Sequence, residues 1–210
     1  KNFGIISFNV RGIRDTQKRR EMFRWFQKKK YSICMLQEVH CTESVEKQWY
    51  AEWGFHIYFC HGQTDARGVC ILFKNDFDYQ IHNIIKDNSG RYLILDVTIH
   101  QQRITLANMY GFNEDKPAFY EEFIEQVETL PNDHRIIGGD FNFVLDVSKD
   151  KFGGNPVTHF KNQKIITDWM EDTDLLDIWR QQNPGKFRYT WRRKNPTFIQ
   201  SRLDRKSTRL

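Results

Sequence analysis

The sequence predicts an α/β (α+β) fold, a four-layer sandwich in which two mixed, mainly antiparallel sheets pack face to face with helices outside. Three observations lead there. Short apolar runs alternate with amphipathic stretches in the early part of the chain, the pattern of strands alternating with helices. The middle reads as strands joined by short turns, so sequence neighbours pair antiparallel. Helical patterns then return, so both ends of the sequence supply helices for the outer faces.

Taken in order, Phe3 to Asn9 is strand-like, and Gln17 to Lys29 sets Met22, Phe23 and Phe26 on one face of a helix. Ser32 to Gln37 is strand-like and Val45 to Trp53 a second helix. Phe55 to Cys60, Val69 to Lys74 and Asp78 to Lys86 are strand candidates. The turn Asn88-Ser89-Gly90 leads into Arg91 to His100, and after a short Gln101-Gln102 joint comes Ile104 to Tyr110. Lys116 to Leu130 is helical, Arg135 to Phe141 a strand ending in a Gly-Gly-Asp turn, and His159 to Glu171 helical again. A helical turn near Leu175 to Gln182 precedes the last extended pieces. There is no internal repeat, and the one Gly/Pro loop is Gly153-Gly154-Asn155-Pro156. One domain is expected over residues 1–205, with an atypical tail at 206–210.

Composition excludes disorder: hydrophobic residues make up 39% of the 210 positions and aromatics 15%, enough to build a core. A net charge of +5 and a pI near 9.0 favour an anionic partner. Basic residues cluster in Lys18-Arg19-Arg20, in Lys28-Lys29-Lys30 and in Arg188 with Arg192-Arg193-Lys194; each cluster reads equally as a solvated face. Cys34, Cys41, Cys60 and Cys70 lack C-x-x-C spacing and are expected to be buried, reduced thiols. No apolar stretch approaches the length of about 18 residues that spans a bilayer, so an intracellular protein with no membrane partner is expected. The start at Lys1, directly before an apolar run, suggests an excerpt of something longer.

The chemistry stands at the strand ends. Four apolar runs deliver, in turn, Asn9, Glu38, Tyr110 and the Asp140-Phe141-Asn142 segment. Ligands settle outside strand ends in α/β folds because loops there converge side chains on a point held by a rigid sheet. Any one Asn or Asp is more often a turn former. The set is harder to dismiss: two carboxylates, amides and a phenol can hold a hard cation and position an oxyanion. Magnesium takes oxygen ligands and commonly uses one or two carboxylates with a substrate phosphate. Zinc is disfavoured, since no His pair or Cys pair has ligand spacing.

Ser7-Phe8-Asn9-Val10-Arg11-Gly12, Leu36-Gln37-Glu38-Val39-His40, Asn108-Met109-Tyr110-Gly111-Phe112-Asn113, Gly139-Asp140-Phe141-Asn142 and Ser201-Arg202-Leu203-Asp204 resemble, in order and spacing, the endonuclease/exonuclease/phosphatase superfamily. Tyr189-Thr190-Trp191 before the last motif is similar to the apurinic-type endonuclease domains of LINE-type, non-LTR retrotransposons. The resemblance implies a DNA-nicking, metal-dependent phosphodiesterase using magnesium, with manganese as the alternative. It implies Glu38 as principal metal ligand with Asn9 beside it, Asp140 as the base that orients and deprotonates water, and Asn142 and Tyr110 as donors to the phosphate oxygens. Asn113 would grip the phosphate, Thr190 and Ser201 would line the DNA-facing wall, and Arg202 would bind substrate. It further implies DNA as partner, a nuclear setting and fusion to a reverse transcriptase.

Family members continue past the motif matched by Asp204 with an extended strand and later a Ser-Asp-His segment, whose histidine that carboxylate orients. Here the chain finishes Arg205-Lys206-Ser207-Thr208-Arg209-Leu210. The resemblance therefore implies missing C-terminal strands and weak or absent activity for these residues alone, with the last five a junction or assembly scar. Two other readings stay open: a relative hydrolysing a small phosphorylated substrate such as an inositol lipid or nucleotide, and a non-catalytic remnant that only binds DNA.

Overall fold

A computed structural model describes residues 3–62, 66–154, 159–193 and 198–209, the last five of these by backbone alone. The first sheet joins β1 (Ile5–Asn9), β2 (Ile33–Gln37), β4 (Val69–Phe73) and β3 (Ile57–Cys60) in the order β1-β2-β4-β3, with β1 and β2 parallel. The second has the order β10-β13-β8-β7-β6-β5, where β5 is Tyr79–Lys86, β6 Tyr92–Ile99, β7 Gln102–Tyr110, β8 Arg135–Asp140, β10 Leu176–Asp177 and β13 Asp204–Arg209. Its one parallel pair is β7 with β8. A small third sheet joins β11 (Trp191–Arg193), β12 (Ile199–Ser201) and β9 (Lys151–Phe152). The helices are α1 (Thr16–Lys28), α2 (Glu46–Trp53), α3 (Pro117–Glu128), the single turn α4 (Val147–Asp150), α5 (Phe160–Asp172) and α6 (Ile178–Gln182).

Side-chain alternation sorts the apolar residues into three slabs, and these define the four layers. Ile33 and Met35 of β2 meet Leu93, Leu95 and Val97 of β6 and Leu106 of β7 between the sheets. On the other face of β2, Cys34 and Leu36 pack with Phe23 and Phe26 of α1 and Trp49 and Trp53 of α2. Outside the second sheet, Ile94, Ala107 and Met109 pack with Phe123 and Val127 of α3 and Ile166 and Trp169 of α5. A strand covered on both faces has no polar side to show, which is why Ile33 to Leu36 of β2 read as an unbroken apolar run and the strand is buried throughout. Each such side chain contributes about 1.5–3 kcal/mol on burial, and truncating Leu95 to Ala would cost about 2–5 kcal/mol.

The ends follow local chemistry. Asp15 caps α1 by accepting from Lys18 N at 2.7 Å, and Gly54, at φ 86°, ends α2 in the left-handed conformation glycine tolerates. The β6–β7 turn falls one residue earlier than the sequence suggests, on His100 and Gln101, both at positive φ; paired left-handed residues match the twist of a tight hairpin. The helical turn expected from Leu175 divides into β10 and α6, with Asp177 capping the helix by accepting from Arg180 N. The backbone of residues 206–209, expected as a tail, runs in β13 along β8 from Lys206 opposite Gly138 to Arg209 opposite Arg135.

Packing also decides the charge clusters. Arg19, counted in the first basic run, is 2% exposed and forks onto Glu52 at 2.6 and 3.0 Å, while Lys18 Nζ donates to the carbonyls of Val10, Arg11 and Gly12. Both tie the loop after β1 to α1. All four cysteines are buried and free, and burial pushes the Cys41 and Cys60 thiols up to about 12. Among the described residues no helix is long and apolar enough to cross a membrane.

Candidate active site

Parallel pairing brings the strand ends together. Asn9 lies beside Gln37 in the β1–β2 register and Tyr110 beside Asp140 in the β7–β8 register, so each pair releases its polar residues at one edge of its own sheet. The β7–β8 approach depends on Gly139, at φ 149°, where a Cβ would come within 2.0 Å of Met109 O. Across the sandwich the two edges touch: Asn9 Nδ2 donates to Glu38 Oε1 at 2.7 Å and to Asp140 Oδ2 at 3.0 Å. The Tyr110 hydroxyl lies near enough to Glu38 and Asp140 for both charges to bear on its ionisation, and the backbone N–H of Asn142 donates to Asp140 Oδ1 at 3.1 Å. Asn9, Glu38, Tyr110, Asp140 and Asn142 therefore form one cluster.

The turns that deliver them are tight. Arg11, Glu38 and Asn142 all have left-handed backbones, at φ 49°, 53° and 59°, conformations that cost non-glycine residues energy and gather where the surrounding structure fixes them. Here the fixing is by backbone pairing: Val10 N donates to Gln37 O at 2.9 Å and Gly12 N to Glu38 O at 2.7 Å.

Burial shapes the electrostatics. Asp140 is 7% exposed, and its desolvation raises the carboxyl above the ordinary range, against the Asn9 amide and Asn142 N–H that pull it down. Burial, with the charges of Glu38 and Asp140, holds the Tyr110 hydroxyl far above its usual value, so it stays a neutral donor. A hard cation fits this donor set, because two carboxylates already share one positive pole, the Asn9 amide nitrogen. Asn9 Oδ1 accepts from Arg11 N at 3.0 Å, so using that oxygen as a ligand requires the amide to rotate. Among the described residues no three His, Cys, Asp or Glu side chains gather as a metal-binding group.

Three supporting residues carried no role in the sequence. Gln37 Nε2 donates to Asn108 Oδ1 at 2.7 Å, and Asn108 Nδ2 donates to the carbonyls of Leu36 and Cys70, both at 2.9 Å; this buried amide pair braces one sheet against the other. Its only sequence signal is a polar residue inside each apolar run. Arg91 donates to Tyr110 O and Gly111 O at 3.1 and 2.8 Å, with its guanidinium 3.6 Å from the Phe112 ring centroid, which fixes the chain after β7.

The remaining expected site residues divide. Asp204 stands directly opposite Asp140 in the β13–β8 register. Asn113 is exposed on the loop after β7, while Asn142 gives a side-chain N–H to Gly111 O at 2.9 Å. Thr190 is exposed, and its hydroxyl accepts from Leu203 N and Asp204 N at 3.0 and 3.2 Å. Ser201, at 6% exposed, pairs with Trp191 and Lys151 in the small sheet. Arg202, expected to bind substrate, is instead 3% exposed, with its guanidinium committed to Asp150 and Asp177 in an interior ion pair.

The profile of the endonuclease/exonuclease/phosphatase family matches residues 6–205. The chain belongs to that family. A curated relative, the transposon TX1 uncharacterized 149 kDa protein of Xenopus laevis, is 29% identical over 205 residues, covering 96% of this chain and 15% of the relative; the chain thus spans a small part of that protein's length. Among solved structures, an AP endonuclease from Archaeoglobus fulgidus has a TM-score of 0.78 at 16% identity, covering 99% of this chain and 86% of its own. The endonuclease domain of TRAS1, a telomere-specific non-LTR retrotransposon, has a TM-score of 0.66 at 14% identity, with coverages of 99% and 85%. These likenesses agree with the family's fold, the sandwich expected from the sequence.

Proposed function

We propose that the chain is a divalent-metal-dependent phosphodiesterase that nicks DNA, the nuclease domain of a retrotransposon-like protein. The observation that carries this reading is the Asn9 amide reaching Glu38 and Asp140 at once, which sets two carboxylates from different sheets around one small volume. Glu38 and Asn9 would hold magnesium, which when bound neutralises phosphate charge. Asp140 would take the proton of the attacking water; its raised carboxyl suits a base working near neutral pH. Tyr110 and Asn142 would donate to the phosphate oxygens as charge builds, with Asn113 beside them and Thr190 and Ser201 on the substrate side.

Support for a nucleic-acid substrate comes from the exposed Arg11 and the half-buried Arg67 and from the nuclease names of the structural neighbours. The 149 kDa transposon relative supports a larger parent, which we take to carry a reverse transcriptase and to act in the nucleus. The test is conversion of supercoiled plasmid to open circle with magnesium: conversion lost with a chelator and in Glu38→Ala supports the reading, and conversion unaffected by both overturns it.

A further inference from the structure

We infer that Arg202 is a positioning residue for the Asp140–Asn142 turn, acting through the Leu203 carbonyl; this rests on the proposed phosphodiesterase reading. Arg202 is anchored at both ends. Its backbone N–H donates to Asp150 O at 2.8 Å, and its guanidinium forks onto Asp150 with Nε–Oδ1 2.8 Å and Nη2–Oδ2 3.2 Å. Asp177 takes the remaining side of the same guanidinium, through Nη1 at 3.3 Å and through Nη2. Arg180 shares Asp150, and the Trp179 ring lies 5.1 Å from Arg202 and 5.0 Å from Arg180.

The two residues after Arg202 pass this anchoring on. The Thr190 hydroxyl holds the N–H groups of Leu203 and Asp204, and Leu203 O accepts from Phe141 N at 3.1 Å. Phe141 lies between the base and the phosphate donor, and the next N–H, that of Asn142, is the one bonded to Asp140 Oδ1. A continuous series of contacts therefore runs from the buried Asp150–Arg202 fork to the Asp140 carboxylate.

Physical chemistry separates positioning from mere support. A buried ion pair is a poor source of net stability compared with apolar packing, but a planar guanidinium held by two carboxylates fixes direction as well as distance. Lysine at the same place keeps the charge and cannot make the fork.

The experiment compares wild type with Arg202→Lys and Thr190→Ala, reading kcat and KM for nicking of a short duplex with magnesium, and the Phe141 and Asn142 backbone amide shifts by nitrogen-15 NMR. In Arg202→Lys, kcat is expected to fall about tenfold to a hundredfold with KM held, and those two amides to move. A folded variant with lowered melting temperature but wild-type kcat and unmoved Phe141 and Asn142 amides overturns the inference. Should Arg202→Lys fail to fold, Thr190→Ala loosens the same turn from its exposed side, and unmoved amides there overturn it equally. If wild type does not nick, the phosphodiesterase reading fails by itself and the amide shifts alone decide the positioning role.

Discussion

Asn9 Nδ2 lies 3.0 Å from Asp140 Oδ2, tying the end of a strand in one sheet to the end of a strand in the other. The same nitrogen donates to Glu38, so it separates two carboxylates that would otherwise face each other. Asn9→Ala is therefore expected to lower the nicking rate by about a hundredfold to a thousandfold, the usual cost of one preorganised polar group at the reacting phosphate. Single-turnover rates on a nicked-product gel check this, and a loss of less than tenfold would place Asn9 outside the site.

Asp140 links activity to stability. Burial raises its carboxyl, so the folded chain binds a proton at a pH where the unfolded chain has released it. In metal-free buffer, the contribution of Asp140 to stability is then fully present below the ordinary carboxylate range and is lost as pH rises through the raised value, where a buried charge must form. Asp140→Asn is expected to remove that decline and melt higher than wild type at neutral pH, while losing activity by about two to four orders of magnitude. Melting curves across acidic to neutral pH check the sign; a variant that melts lower at neutral pH contradicts it.

The inter-sheet brace gives a third outcome. Asn108→Ala removes the amide that donates to the carbonyls of Leu36 and Cys70, and one acceptor of Gln37 Nε2, which also reaches Ser7 Oγ and Met35 O. Each buried group left unsatisfied costs about 1–3 kcal/mol, so urea denaturation should show a loss of several kcal/mol, where an exposed asparagine would show almost none.

The layers were legible in the sequence because periodicity reports burial directly: Ile33 to Leu36 are apolar on both faces since helices cover one side and β6 the other. The strand-end residues were legible because Glu38 and Asp140 close apolar runs where charge has no packing use. The turn at His100-Gln101 was not, since neither residue type announces a left-handed backbone. Arg19 and Arg202 look like surface cations in one dimension; only their distant partners Glu52, Asp150 and Asp177 make them interior. Gln37 and Asn108 stood inside quoted motifs, yet a pairing between residues 71 positions apart leaves no local trace.

Substrate class is read by salt. Binding through about six phosphates should weaken on the order of a thousandfold between about 50 and 200 mM salt, whereas a small phosphorylated ligand should show a much shallower slope. Fluorescence anisotropy with a labelled duplex measures it, and a shallow slope favours the small-substrate reading.

We propose that Glu38, Asn9 and Asp140 surround one divalent cation. Manganese titration followed by electron paramagnetic resonance tests it most directly, because it needs no turnover. A single saturable site in wild type that is lost in Glu38→Gln, with the fold intact by circular dichroism, is the predicted result; wild type that binds no manganese, or a Glu38→Gln protein that binds it equally well, would contradict the account.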